Sequence, residues 1–233
     1  MRNKIIVFLL LCISLIFSGC FSSWQEETGT IILNLGNNSR AALPPNDEAL
    51  DKLEYEITFT GAKEEFTLNS KGREPVKSTV IPGDWKITVK AFTYVDYYNS
   101  TQVYVRERIM YAMGKETVKV KPGQSNPVTV KMSNMGEVVI YIDIENFSEE
   151  KHYITVVGVH TISEVEPDDK EIIYYYTPPN PGYYMIEIES GVWRFEVGVY
   201  ALDNATLLSS KNDLIIINPG YNDSVIKFSL EIQ

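Results

Sequence analysis

The stretch Pro82-Gly-Asp-Trp-Lys-Ile-Thr-Val89 recurs in altered form as Ser190-Gly-Val-Trp-Arg-Phe-Glu-Val197. In both stretches apolar residues alternate with polar ones after a glycine-containing turn, which is typical of a β-strand with one buried face. Tryptophan fills the first apolar position each time. We therefore predict that Trp85 and Trp193 are core residues at equivalent places in two copies of one structural unit.

Two further pairs of segments occur in the same order along the chain. The segment Gly29–Leu35 (GTIILNL) matches Gly136–Ile142 (GEVVIYI), and the Pro-Gly turn at Pro122 matches the one at Pro219. Similar segments that recur at a nearly constant separation indicate an internal repeat. The chain is therefore predicted to contain two copies of one structural unit.

The repeat sets the predicted domain boundaries. The first domain is expected at 28–133 and the second at 134–233, with almost no linker between them. The first copy is longer by about eleven residues, which lie between Phe92 and Pro122.

Each copy is predicted to consist of β-strands. The clearest alternating segments are 53–59, 85–91, 128–132, 193–199 and 226–230. Pro-Gly and Ser-Gly turns separate them, and helical periodicity is limited to one possible turn at 47–53. We therefore predict an all-β fold of two tandem antiparallel β-sandwich domains, each of about 100 residues.

The Gly-x-Trp-x-apolar-x-Val strand, followed later by a Pro-Gly turn and a closing strand, resembles the prealbumin-like or Cna-B-like sandwiches of bacterial surface proteins. The resemblance covers both copies, although tryptophan stands where that family usually has tyrosine. Some family members contain Lys–Asn isopeptide crosslinks, but neither copy has a suitably placed lysine in its first strand. An immunoglobulin-like strand order remains an alternative.

The N-terminus has the composition of a secretory signal. Arg2 and Lys4 precede an apolar run from Ile5 to Phe17, which is shorter than the roughly 20 residues needed to cross a bilayer. The run ends in Ser18-Gly19-Cys20 and resembles the signal peptide of bacterial lipoproteins.

This resemblance implies that residues 1–19 are removed and that Cys20 carries a diacylglycerol group, followed by a lipidated tether at 20–27. The alternative is an ordinary cleaved signal peptide in which Cys20 has no role. Cys12 leaves with the signal in either case, so the mature chain keeps one thiol. Phe21 replaces the Asp of inner-membrane retention signals, which favours the outer membrane. The sequence leaves open whether the protein faces the cell surface or the periplasm.

The charge of the chain argues against a nucleic-acid partner and differs between the two predicted domains. A net charge of -10 is unsuited to binding nucleic acid. The first domain has 14 Lys and Arg against 12 Asp and Glu, whereas the second has 5 against 17. This difference could keep the second domain away from anionic lipid. The acidic run Glu164, Glu166, Asp168 and Asp169 could bind calcium, but a solvated loop is the better interpretation.

Catalytic and metal-binding patterns are missing from the sequence. It has no phosphate loop, nucleophile elbow or His-Glu-x-x-His motif. His152 aligns with Tyr55, so we expect an inward-facing structural histidine, and His160 is expected at the surface. Their spacing does not suggest zinc. We predict no enzyme activity, no metal and no cofactor other than the lipid.

An aromatic cluster in the second copy could bind a ligand. It consists of Tyr174, Tyr175, Tyr176, Tyr183 and Tyr184, interrupted by three prolines. Alternation predicts that Tyr174 and Tyr176 share one face and that Tyr175 lies on the other. Exposed tyrosine suits sugar rings and protein partners. Alternatively, these residues fill core and edge positions, where the prolines protect an exposed strand.

The longer segment of the first copy is a second candidate. It is either a functional loop or a plain extended hairpin. Arg106 and Arg108 would share a strand face and could meet an anionic group, or they could simply be solvated.

The sequence as a whole predicts a non-catalytic, lipid-anchored protein of the cell envelope that acts as a binding, adhesive or scaffolding module. Its expected partners are the membrane through the lipid, and an envelope protein, a host protein or a glycan. Two alternatives are a glycan-binding lipoprotein that accompanies a carbohydrate uptake system, and a periplasmic structural subunit of an envelope complex.

Overall fold

The computed structural model describes residues 27–35, 47–99, 101–161 and 173–232, and most of these belong to β-strands. One short helix, α1 (Asp47–Lys52), occupies the place of the expected helical turn. No helix in the described part of the chain is long and apolar enough to cross a membrane. The signal segment, Cys20 and the acidic run 164–169 lie outside the described residues.

The first unit is a β-sandwich with one face of three strands and one of five. The strand order is β4-β1-β7 in the small sheet and β3-β2-β5-β6-β8 in the large one. Its strands are β1 (Gly29–Leu33), β2 (Glu54–Thr60), β3 (Glu65–Lys71), β4 (Val76–Val80), β5 (Gly83–Tyr98), β6 (Tyr104–Val120), β7 (Ser125–Val128) and β8 (Met132–Ser133).

The second unit repeats this arrangement without an equivalent of β8. Its sheets have the orders β12-β9-β15 and β11-β10-β13-β14. Its strands are β9 (Met135–Glu145), β10 (His152–Thr161), β11 (Ile173–Tyr176), β12 (Gly182–Glu189), β13 (Gly191–Ala201), β14 (Leu207–Ile217) and β15 (Gly220–Glu231). The predicted all-β fold of two sandwiches is confirmed. The pairing is antiparallel except that the first strand of each unit runs parallel to the seventh, as β1 with β7 and β9 with β15.

The two tryptophans occupy matching positions in two separate cores. Trp85 is 1% exposed within a cluster drawn from residues 31–132, and Trp193 is 0% exposed within a cluster drawn from 138–230. Each indole N–H donates to the carbonyl oxygen four residues earlier, Ile81 and Glu189 respectively, at 2.9 Å. A buried indole N–H needs such an acceptor, and the same turn provides it in both units.

Both units have a glycine where the first strand passes close to the end of the sixth strand. A Cβ atom on Gly29 would lie 2.4 Å from Cγ1 of Val120, and one on Gly136 would lie 2.4 Å from the carbonyl oxygen of Asn218. The first strand of each unit therefore passes too close to the end of the sixth for any larger residue.

The extra residues of the first copy form an extended hairpin. Strands β5 and β6 have 16 and 17 residues, whereas their equivalents β13 and β14 have 11 each. The register shifts between Ala91 and Phe92, and the hairpin then continues beyond the first sandwich to contact the second. Of the two predicted forms, a functional loop or an extended hairpin, this segment therefore has the form of the hairpin.

The two sandwiches are arranged head to tail. Strand β1 begins at the end of the first sandwich that carries the turns at Pro82 and Pro122, because Gly29 pairs with Val80 there. The equivalent end of the second sandwich meets the first, where the Ser190 hydroxyl donates to the Tyr111 carbonyl oxygen at 2.6 Å. The start of β1 and the far end of the second sandwich therefore lie at opposite ends of the described part of the chain.

Candidate functional site

The predicted tyrosine cluster is divided between the core and two surfaces. Tyr174 and Tyr176 are half-buried, and their ring centroids lie 6.4 Å from that of Phe195 and 5.7 Å from that of Tyr184, respectively. Tyr175 points outward from β11 and is 64% exposed. These contacts place three of the five tyrosines, including Tyr184, against the second core.

The second exposed tyrosine lies on the opposite sheet. Tyr183 is 68% exposed on β12, while Tyr175 belongs to the sheet that contains β10 and β13. The ring of Tyr183 packs against that of Tyr141, with centroids 4.4 Å apart. The structure therefore does not bring Tyr175 and Tyr183 together into one binding platform.

Arg106 and Arg108 share a face of the hairpin, and each already has an acidic partner. The Nη1 atom of Arg106 lies 3.1 Å from Oδ2 of Asp96, and the Nε atom of Arg108 lies 3.0 Å from Oε2 of Glu54. The Arg108 guanidinium also lies 3.6 Å from the ring centroid of Phe92, a cation–π contact. An anionic ligand at this face would have to compete with both carboxylates.

The opposite face of the hairpin packs against the second sandwich. Val95 and Ile109 on the hairpin pack against Val192 on β13, and all three are at most 3% exposed. Tyr97, Leu214 and Ile216 are half-buried around them. Burial and the hydrogen bond that Tyr97 donates to Glu107 raise the pKa of Tyr97 to about 12, so this hydroxyl stays protonated at neutral pH.

The outer face of the sheet β12-β9-β15 carries a row of apolar side chains, of which the sequence pattern indicated only Tyr183. We call Val139, Tyr141, Tyr183, Met185 and Val225 the outer apolar face. Tyr183 pairs directly with Tyr141, and Met185 with Val139, which in turn lies beside Val225. The signal available in the sequence was the unbroken apolar run Val138-Val139-Ile140, which does not alternate as a strand with one solvated face should.

A groove lies at the free end of the second sandwich. It has a volume of about 720 Å³ and is lined by Lys151, His152, Leu202, Leu208 and Ile232 among others. Leu202 is 56% exposed there. Its rim mixes acidic and basic residues, so its charge favours no particular ligand.

The two histidines have structural roles. His152 is half-buried, and its Nδ1 atom accepts a hydrogen bond from the Ser148 backbone N–H at 3.0 Å. The surface position expected for His160 is wrong, because its side chain is 3% exposed and its ring centroid lies 4.8 Å from that of Trp193. The inward alternation of β10 continues from Ile154 to His160. No group of three metal-binding side chains occurs among the residues that the structure describes.

Burial lowers the pKa of His160 below its ordinary value of 6.5, although the backbone carbonyl of Ser190 acts in the opposite direction. The unfolded chain therefore binds a proton at a pH where the folded chain does not. The stability that the neutral ring contributes is present above pH about 6.5 and is lost as the pH falls below that value.

We expect the variant His160→Gln to lose less stability than the native chain between pH 7.5 and 5.5, since it has no imidazole to protonate. Urea unfolding at both pH values measures this difference, and comparison of the two proteins cancels the titration of the carboxylates. The pH 7.5 data give the cost of the substitution itself. Equal losses of stability in both proteins would contradict the assignment.

No protein-family model matches the chain. No curated protein matches it either. Among solved structures, a candidate adhesin from Bacteroides thetaiotaomicron is 10% identical, with a TM-score of 0.34, and the match covers 79% of this chain and 80% of that one. The tip fimbrial protein from Porphyromonas gingivalis is 10% identical, with a TM-score of 0.29 and 83% of each chain covered.

The Bacillus anthracis TIE protein is 11% identical to this chain, with a TM-score of 0.42. The match covers 88% of this chain but 34% of the other, so this chain spans about a third of that protein's length.

Proposed function

We propose that this protein is a non-catalytic, lipid-anchored envelope module that holds its second sandwich at a fixed distance from the membrane, where it binds a protein partner. The observation that carries the proposal is the hairpin contact, in which Val95 and Ile109 of the first sandwich pack on Val192 of the second. Such a contact favours a rigid spacer over two independently moving domains.

The head-to-tail arrangement supports the direction of the spacer. The tether that begins at Cys20 leads into the end of the first sandwich that is remote from the second. The acidic second sandwich then projects away from the membrane, so anionic lipid does not repel its negative charges.

The contacts of the two histidines support a non-catalytic role. His152 accepts a backbone hydrogen bond, and His160 packs on Trp193 beside the Ser190 carbonyl. The Ser190 hydroxyl donates to the Tyr111 carbonyl rather than to the imidazole of His160. A nucleophile needs a base as its hydrogen-bond acceptor.

The glycan-binding alternative is less well supported. Sugar platforms need aromatic faces on one surface, and the two exposed tyrosines of the predicted cluster, Tyr175 and Tyr183, lie on different sheets. The periplasmic structural subunit differs from the main proposal chiefly in which side of the membrane the module faces.

The anchor is tested by the variant Cys20→Ser. We expect it to lose incorporation of radiolabelled fatty acid and to move from the membrane fraction to the soluble fraction, because the serine hydroxyl cannot accept the lipid as the thiol does. Cys12→Ser is the matched control and should change neither result. Lipid labelling that persists in the Cys20 variant would refute the anchor.

Protease treatment of intact cells, with a periplasmic protein as the lysis control, tests which side the module faces. Cleavage while the control survives would place its partner outside the cell. Cleavage only after the cells are opened would place the partner in the periplasm and favour the structural-subunit alternative.

A further inference from the structure

The outer apolar face is unusually exposed for a sheet surface. Tyr183 is 68% exposed, Met185 is 66% exposed and Val225 is 40% exposed. The three side chains lie on two edge strands on either side of β9, so they form one continuous surface with Tyr141 and Val139. Contiguous apolar surface of this kind is characteristic of binding sites.

The first sandwich provides an internal comparison. Met185 pairs with Val139 as Lys77 pairs with Ile32 in the first unit, and Val225 takes the place of Pro127. The fold therefore does not require a methionine at this position, since the same position in the same architecture accepts a lysine. The apolar character belongs to the second unit and calls for an explanation other than folding.

The neighbouring row is acidic. Glu187 and Glu137 lie directly opposite each other on β12 and β9, and both are exposed. Their equivalents in the first unit are Thr79 and Thr30, which carry no charge. Like charges directly opposite each other destabilise a sheet. Lys227, beside Tyr141, is the basic group next to this surface.

We propose that the outer apolar face, with Glu137 and Glu187 at its rim, docks a protein partner whose surface has apolar side chains ringed by Lys and Arg. The charge of the rim selects this partner, because positive groups opposite it would relieve the repulsion between the two glutamates. The same face of a second copy would bring four glutamates together, which makes it an unsuitable occupant. This proposal rests on the proposed function and names the surface and the partner chemistry.

The test is photo-crosslinking in the cells that make the protein, using the full-length lipidated chain. Benzoylphenylalanine replaces Met185 in one variant and the matched residue Lys77 in a control variant. We expect a discrete adduct with a different protein from position 185 and none from position 77. Mass spectrometry of the adduct should locate the crosslink on a partner surface that is rich in Lys and Arg.

A charge variant separates binding from folding. Glu137→Lys introduces an attractive pair with Glu187, so it should raise the thermal midpoint slightly while it weakens the adduct at position 185 several-fold. Loss of the adduct in a variant that is at least as stable cannot be attributed to unfolding.

Four outcomes would overturn the proposal. These are no adduct from position 185, equal adducts from both positions, an adduct of twice the chain mass, and an adduct that Glu137→Lys leaves unchanged. Each of them can occur while Cys20→Ser still abolishes lipid labelling, so failure of this proposal is distinguishable from failure of the anchor.

Discussion

Replacing Trp193 with alanine should lower the free energy of unfolding of the protein by about 3–5 kcal/mol, the usual cost of truncating a large buried aromatic. The side chain is fully buried, and its ring lies 4.8 Å from that of His160 and 5.9 Å from that of Phe195. Truncation would leave a cavity between the sheets and would leave the Glu189 carbonyl without its indole donor.

Urea unfolding followed by circular dichroism measures this loss. Trp85→Ala is the matched variant and should destabilise the protein by a similar amount, because Trp85 is equally buried and its indole N–H makes the equivalent hydrogen bond. Trp193→Phe should cost less than alanine, since it keeps part of the packing. A loss below about 1 kcal/mol would contradict the core role of the tryptophan.

Replacing Val95 with aspartate should separate the two sandwiches. Val95 is 1% exposed, and it packs against Val192 rather than within either core. A carboxylate buried there without a partner would cost on the order of 3 kcal/mol. This cost weakens the contact between the sandwiches. We expect one cooperative unfolding transition to become two and the radius of gyration to increase.

Calorimetry and small-angle scattering measure these two changes. Val225→Asp is the control, because that residue is 40% exposed on the outer sheet of the second sandwich and should leave both quantities nearly unchanged. The position of Val95 on the hairpin keeps the substitution away from the core around Trp193. A single transition at the native midpoint would show that the hairpin does not couple the sandwiches.

The sequence predicts best what both units repeat. The matched tryptophans, the glycines at the start of β1 and β9, and the Pro-Gly turns each reflect a local requirement that the chain meets twice. Strict alternation along 85–91 and 193–199 was enough to predict strands and their buried faces. The fold class followed from these patterns without knowledge of how the strands pair.

Features that depend on contacts between distant segments could not be predicted in this way. The alternation of β5 continues through Val95, but it does not reveal that the burial of Val95 comes from a different sandwich. The predicted surface position of His160 is wrong because the end of β10 lies under the Ser190-Gly191 turn. The sequence does not show this contact. The tyrosine cluster was divided because β11 and β12 belong to different sheets.

The central position of β1 in its three-stranded sheet has a mechanical consequence. In the lipid-anchored protein that we propose, tension from the membrane would enter at Gly29 and act along the strand, which is hydrogen-bonded to β4 on one side and to β7 on the other. Inter-strand hydrogen bonds run across the strand direction. Such a pull would shear two ladders at once instead of opening one bond after another, so the first sandwich would resist extension if a bound partner were dragged away from the cell.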